Sequence, residues 1–137
     1  MNKPSPDLFW PFLIVVSVFF ASGQSEIASP GFTFSVDKLA HFGVFGALAT
    51  SVIRLPRFRE AGWKGVFVVL LLVSLWGGLD EFRQSFTPGR SVEVHDWLAD
   101  TLGAMTAVLL YQAWPAYRRL LESQPLKFLK QGIETEA

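Results

Sequence analysis

The chain has 137 residues, the length of one domain, and half of them are hydrophobic. Its mean hydropathy is +0.33. A soluble domain of this size could not bury so much apolar surface, so the composition favours an integral membrane protein. The net charge is zero and cysteine is absent, which argues against nucleic acid as a partner and excludes disulfide bonds and thiolate metal sites.

Four apolar runs follow one another along the chain, at 8–23, 36–53, 63–82 and 96–114. Each approaches the roughly 20 residues, range about 17–25, that a helix needs to cross a bilayer core. The first run is the shortest and carries Pro11, which suits the first turn of a helix. The pattern predicts an all-α integral membrane bundle of four transmembrane helices.

The first run also fits a cleaved signal peptide. Lys3 supplies a weak positive region before it, and Ala21 and Gly23 are small residues of the kind found at cleavage sites. The sequence leaves both interpretations open, and the other three helices keep the same orientation in either case.

Lysine and arginine predict the orientation, because cytoplasmic segments are enriched in them. Nine of the twelve lie in the N-terminal tail, the connection between runs two and three, and the C-terminal tail 115–137. The remaining three are Lys38, Arg83 and Arg90. We therefore expect a multi-pass protein of the bacterial cytoplasmic (inner) membrane with both termini in the cytoplasm. The tail should begin as an interfacial helix.

Polar residues collect at the opposite, outer ends of the helices. Spacings of four on shared helix faces place Asp37 beside His41, Asp80 beside Gln84 and Asp96 beside Asp100. Such side chains at a bilayer edge face the bundle or a water-filled cleft rather than lipid. The sequence therefore predicts one ligand site at the outer face. Its expected members are Asp37, Lys38, His41, Asp80, Glu81, Gln84, Arg90, Asp96 and Asp100.

Arg90 follows a predicted turn at Pro88-Gly89, where glycine can supply a positive φ. Its planar fork of donors suits a carboxylate or a phosphate. We expect its first partner to be Asp80 or Asp96 in a bidentate pair, so that Arg90→Lys is poorly tolerated.

Each of these residues also has a plainer interpretation. Asp37 and Asp96 suit helix N-termini through capping and the helix dipole. By the same interpretation Glu81 and Glu93 are solvated loop acids, and His95 has no helical spacing that links it to the other site residues. The convergence of so many polar groups on one face favours a site.

Three motifs carry a family resemblance: "DKLAHF" at 37–42, "LDEFRQSFTPGR" at 79–90 and "DWLADTLGA" at 96–104. In this order they resemble the VanZ-like membrane protein family over about 36–110. Asp100 departs from the pattern, since asparagine is common at that position. An ionised Asp100 would make the site less suited to an anionic ligand.

The resemblance implies a small integral membrane protein, with 1–137 as a single VanZ-like transmembrane domain. The family takes its name from a protein associated with resistance to the glycopeptide teicoplanin, a drug class that acts on lipid-linked cell-wall precursors. We therefore expect binding or modification of a lipid-linked cell-envelope component. Its polar or phosphate-bearing head would meet Arg90, Lys38 and His41, and membrane lipid would surround the helices.

Two other functions remain open. An acid–base enzyme could use His41, Asp37 or Asp80 as catalytic candidates, although the sequence has no serine or cysteine nucleophile motif. No local ligand motif demands a metal, but Asp37, His41, Asp80 and Asp96 could hold a divalent ion, so the cofactor is undetermined. The cluster could also be a structural ion-pair network in a non-catalytic membrane partner. Oligomeric state is not set by the sequence.

Overall fold

The computed structural model describes residues 8–22, 33–88 and 92–122, and for 33–37 the backbone alone. All regular secondary structure in these residues is helical, which confirms the predicted all-α class. The helices are α1 (Phe9–Ser22), α2 (Thr33–Ile53), α3 (Pro56–Arg59), α4 (Trp63–Gln84), α5 (Val94–Ala113) and α6 (Pro115–Glu122).

The bundle is built around α2 and α5, which share the most extensive helix contact, and α4 packs on α5. Glycine allows the close approach. A Cβ atom on Gly103 would lie 2.1 Å from the carbonyl oxygen of Phe42, so the backbones of α5 and α2 touch there. Buried side chains from α2, α4 and α5, including Phe45, Val69 and Val108, fill the core.

Helix α1 lies on the outside of this unit. It is 14 residues long, about 21 Å, and contacts α2 and α4. Ile14, Val15 and Val18 are partly buried against the core, whereas Phe12 and Phe20 are largely exposed.

The end of the bundle where α2 stops and α4 starts is closed by α3 and α6. Glu122 accepts a hydrogen bond from the Tyr111 hydroxyl and lies 3.8 Å from Arg118 and 4.0 Å from Arg59. These contacts tie the first helix of the C-terminal tail to the α2–α4 connection. The basic residues of both segments therefore lie at one end of the molecule.

Among the described helices, α4 is the one long and apolar enough to cross a membrane by length and composition. Phe9–Ser22 and Lys38–Ile53 are shorter apolar stretches. Of the four predicted membrane spans, one is therefore supported by the length and composition of its helix.

Candidate functional site

Polar side chains meet at the end of the bundle where α2 and α5 begin and α4 ends. Four of the five acids among them are buried, with Asp100 1% and Glu81 3% exposed. We call this group the polar cluster. Its members are Ser22, Lys38, His41, Asp80, Glu81, Arg83, Gln84, Glu93, Asp96 and Asp100.

Lys38 connects α2 to α5. Its ammonium donates to Glu93 Oε2 at 2.7 Å and also to Asp96 Oδ1. Asp96 is buried and Glu93 is half-buried. The lysine therefore neutralises acids at the entry to α5, a contact that the sequence spacing did not predict.

His41 pairs with Asp100 across the same helix interface. Its Nδ1 lies 2.8 Å from Asp100 Oδ1, and its ring stacks on Phe45 with centroids 6.3 Å apart. An ionised carboxylate can only accept, so with Asp100 ionised the hydrogen is on Nδ1 and the lone pair of the neutral imidazole is on Nε2. The predicted partner of His41 was Asp37, whose side chain lies outside the described residues.

The last turn of α4 is buried rather than solvated. Gln84 Nε2 donates to Asp80 Oδ2 at 3.0 Å, as their spacing of four predicted, and lies 3.4 Å from Glu81 Oε1. Glu81 Oε2 accepts from the backbone N–H of Glu93 at 3.0 Å. The interpretation of Glu81 as a solvated loop acid was wrong, because α4 continues to Gln84 and turns Glu81 toward α5.

Asp80 faces α1 and meets a cation there. It accepts from Ser22 Oγ at 2.7 Å and from an Arg83 guanidinium nitrogen at 3.1 Å. Arg83 also donates to Ser22 Oγ and lies over the Phe19 ring at 4.4 Å. Neither Ser22 nor Arg83 was among the predicted site residues. The spacing of three between Asp80 and Arg83 was the available signal.

We expect Arg83→Ala to loosen α1 from α4. The change removes the contact with Phe19 and a charge-assisted hydrogen bond to Asp80. Their loss should lower the free energy of unfolding by about 1.5–3 kcal/mol. Thermal unfolding in detergent measures this, with the exposed Arg57→Ala as the control. Adding Asp80→Asn should recover part of the loss. An Arg83→Ala variant as stable as Arg57→Ala would contradict this role.

Two other residues complete the comparison with the sequence predictions. His95 is exposed, in agreement with its plain interpretation. Arg90 lies outside the described residues, so its pairing with Asp80 or Asp96 stays a prediction. Those two acids already contact Arg83 and Lys38, respectively.

One part of the polar cluster has the spacing of metal ligands. His41, Glu81 and Asp96 each offer one ligand atom, and these atoms lie within 4.8 Å of one another. The metal-ligand set suggested by the sequence also contained His41 and Asp96, but its other members were Asp37 and Asp80 rather than Glu81.

An apolar cavity of about 280 Å³ adjoins the polar cluster between α1 and α2. Its lining combines apolar and polar side chains. The apolar ones include Val18, Ala21, Val44 and Phe45, and the polar ones are Ser17, Ser22, His41 and Asp80. The arrangement can therefore contact the polar head and the apolar chain of one amphipathic molecule.

One of three comparisons with known proteins supports the family resemblance seen in the sequence. Comparison with curated proteins and with solved structures found no match. The model of the VanZ/LLP1 family matches residues 4–115, most of the sequence and all of the polar cluster. The chain therefore belongs to the VanZ/LLP1 family.

Proposed function

We propose that this chain is a multi-pass membrane protein that binds or modifies a lipid-linked cell-envelope component at the outer face of the bacterial cytoplasmic membrane. The observation that carries this proposal is the shared lining of the apolar cavity and the polar cluster by Ser22, His41 and Asp80. A polar head in the cluster and a hydrocarbon tail in the cavity would bind together.

The surface of α4 supports a lipid environment. Phe67, Leu71, Leu75 and Leu79 recur every four residues on one face, and all four are exposed. A continuous apolar stripe of this kind is unusual on a soluble monomer and suits contact with lipid tails. We infer that α1, α2, α4 and α5 cross the bilayer as one domain, with α6 at the inner interface.

The charges at the two ends support the orientation. Arg54, Arg57, Arg59, Arg118 and Arg119 lie at the end closed by α3 and α6, and the acid-rich polar cluster lies at the other. Because cytoplasmic segments are enriched in arginine, this distribution supports an outer-face location for the polar cluster.

The proposed head is polar and phosphate-bearing. Lys38 and Arg83 supply positive charge, and Gln84 supplies a neutral amide donor. The tail would lie along Val18 and Val44. A lipid-linked cell-wall precursor has both parts, and this chemistry would connect the site to glycopeptide (teicoplanin) resistance.

A second candidate is acid–base catalysis on such a lipid. The hydrogen bond between His41 and buried Asp100 favours it, since an imidazole held in one tautomer can accept a proton near neutral pH. The residue that would act is His41, with Asp100 as its positioning partner.

The test is binding of a polyprenyl phosphate to the purified protein in detergent, beside the matching polyprenol without phosphate. The phosphate lipid should bind and the alcohol should bind more weakly. Val44→Trp, which fills the cavity, should reduce binding at least about tenfold, equivalent to 1.4 kcal/mol. Leu75→Trp, on the lipid-facing stripe, is the control. Equal binding of both lipids, or no effect of Val44→Trp, would refute the proposal.

A further inference from the structure

Three helices each bring one metal-ligand atom to the same point of the polar cluster. The ligand atoms of His41 on α2, Glu81 on α4 and Asp96 on α5 lie within 4.8 Å of one another. Bonds of about 2.0–2.2 Å to a common ion place its ligands up to about 4.4 Å apart, so small side-chain movements suffice. We propose that these three residues bind a divalent metal ion.

The charge of the polar cluster supports a bound cation. Among the described residues its cations are Lys38 and Arg83, and they face five carboxylates. The carboxylates belong to Asp80, Glu81, Glu93, Asp96 and Asp100. Four of the five are buried, and uncompensated buried charge is strongly unfavourable. A divalent ion at His41, Glu81 and Asp96 offsets two of the excess negative charges.

The histidine is oriented as metal-binding histidines usually are. Its Nδ1–H donates to Asp100, and that carboxylate is 1% exposed. A buried carboxylate that is hydrogen-bonded to one imidazole nitrogen fixes the tautomer, and it makes the other nitrogen a stronger metal ligand.

The two acids are oriented by separate contacts. Glu81 Oε2 accepts the Glu93 backbone N–H, and Asp96 Oδ1 accepts from Lys38. Because all three ligands project from long helices, their positions are held by the packing of the bundle rather than by a loop.

The donor set indicates the class of ion. One imidazole and two carboxylates favour Mn²⁺ or Zn²⁺ over Ca²⁺, which prefers six to eight oxygen ligands. Three protein ligands leave coordination positions open, as in metal sites that also bind a substrate oxygen. A phosphate oxygen is the natural occupant, and this role, unlike the ion itself, rests on the proposed function.

The ion also resolves an electrostatic conflict in the proposed function. The excess of carboxylates would repel a phosphate-bearing head. A divalent cation between the head and Glu81 and Asp96 changes this repulsion into attraction.

The test is Mn²⁺ binding to the chelator-stripped protein in detergent without added lipid, followed by electron paramagnetic resonance. The wild type should bind one Mn²⁺ per chain, and its pulsed spectrum should show coupling to an imidazole nitrogen. Glu81→Gln and Asp96→Asn should weaken binding at least about tenfold, and Asp100→Asn about 10–100-fold. Glu60→Gln, an exposed acid at the other end, should bind as the wild type does.

His41→Gln should abolish the nitrogen coupling. A wild-type protein that binds neither Mn²⁺ nor Zn²⁺ in this assay would overturn the metal site, even if a ligand variant does not fold. Unchanged nitrogen coupling in folded His41→Gln would overturn it as well. Metal binding without polyprenyl phosphate binding would support the metal site and refute the proposed function. Binding of polyprenyl phosphate without any metal binding would support the proposed function and refute the metal site.

Discussion

Gly103→Ala should strongly destabilise the protein by forcing α2 and α5 apart. The new Cβ would lie 2.1 Å from the carbonyl oxygen of Phe42. Because that oxygen is backbone, α2 and α5 must separate, and packing of Phe45 and Val108 in the core is lost. Overpacking typically costs about 1–3 kcal/mol, and a clash with backbone this close puts the expected cost at the upper end of that range. Thermal unfolding in detergent and abundance in the membrane measure the effect.

Gly43→Ala is the matched control on α2. A Cβ there meets nothing within 4 Å. Alanine also has a higher helix propensity than glycine by about 1 kcal/mol, so stability should be unchanged or rise. Equal stability of the Gly103→Ala and Gly43→Ala variants would show that α2 and α5 do not approach as closely as described.

Lys38→Met should have the largest effect among substitutions in the polar cluster. It removes the ammonium from Asp96 and Glu93, and Asp96 is left buried with an uncompensated charge. Breaking a buried pair in this way costs about 3–5 kcal/mol. Thermal unfolding in buffer that contains a chelator isolates this effect from any bound metal.

The control for Lys38→Met is Lys64→Met, an exposed lysine at the start of α4. Adding Asp96→Asn to Lys38→Met should restore much of the stability, because it removes the charge that was left alone. If Lys38→Met unfolds at the same temperature as Lys64→Met, the ion pair has no structural role.

The long helices were predictable because each coincides with an apolar run. Their ends were less predictable. The sequence placed the end of the third run at 82, whereas α4 continues to Gln84. The predicted start of the second run was 36, and α2 begins at Thr33. Polar residues interrupt the apolar pattern at the end of the third run. Helix α4 nevertheless continues, because Gln84 bonds to Asp80 one turn earlier and Arg83 bonds to Ser22 of α1.

The polar site was predictable as a convergence but not as a set of contacts. The spacing of four found the bond between Asp80 and Gln84, because both residues lie on one helix. It could not find the pairs that His41 makes with Asp100 or that Lys38 makes with Asp96. Those pairs depend on how α2 and α5 are rotated against each other, and that rotation is set by the close approach of their backbones.

The location of the polar cluster at the outer face is tested most directly by cysteine labelling, since the chain has no cysteine of its own. Ser85→Cys places an exposed thiol beside the cluster, and Glu60→Cys places one at the opposite end. In spheroplasts, a membrane-impermeant maleimide should label Ser85→Cys at once and Glu60→Cys only after permeabilisation. Immediate labelling of Glu60→Cys together with protection of Ser85→Cys would place the polar cluster in the cytoplasm and contradict the proposed function.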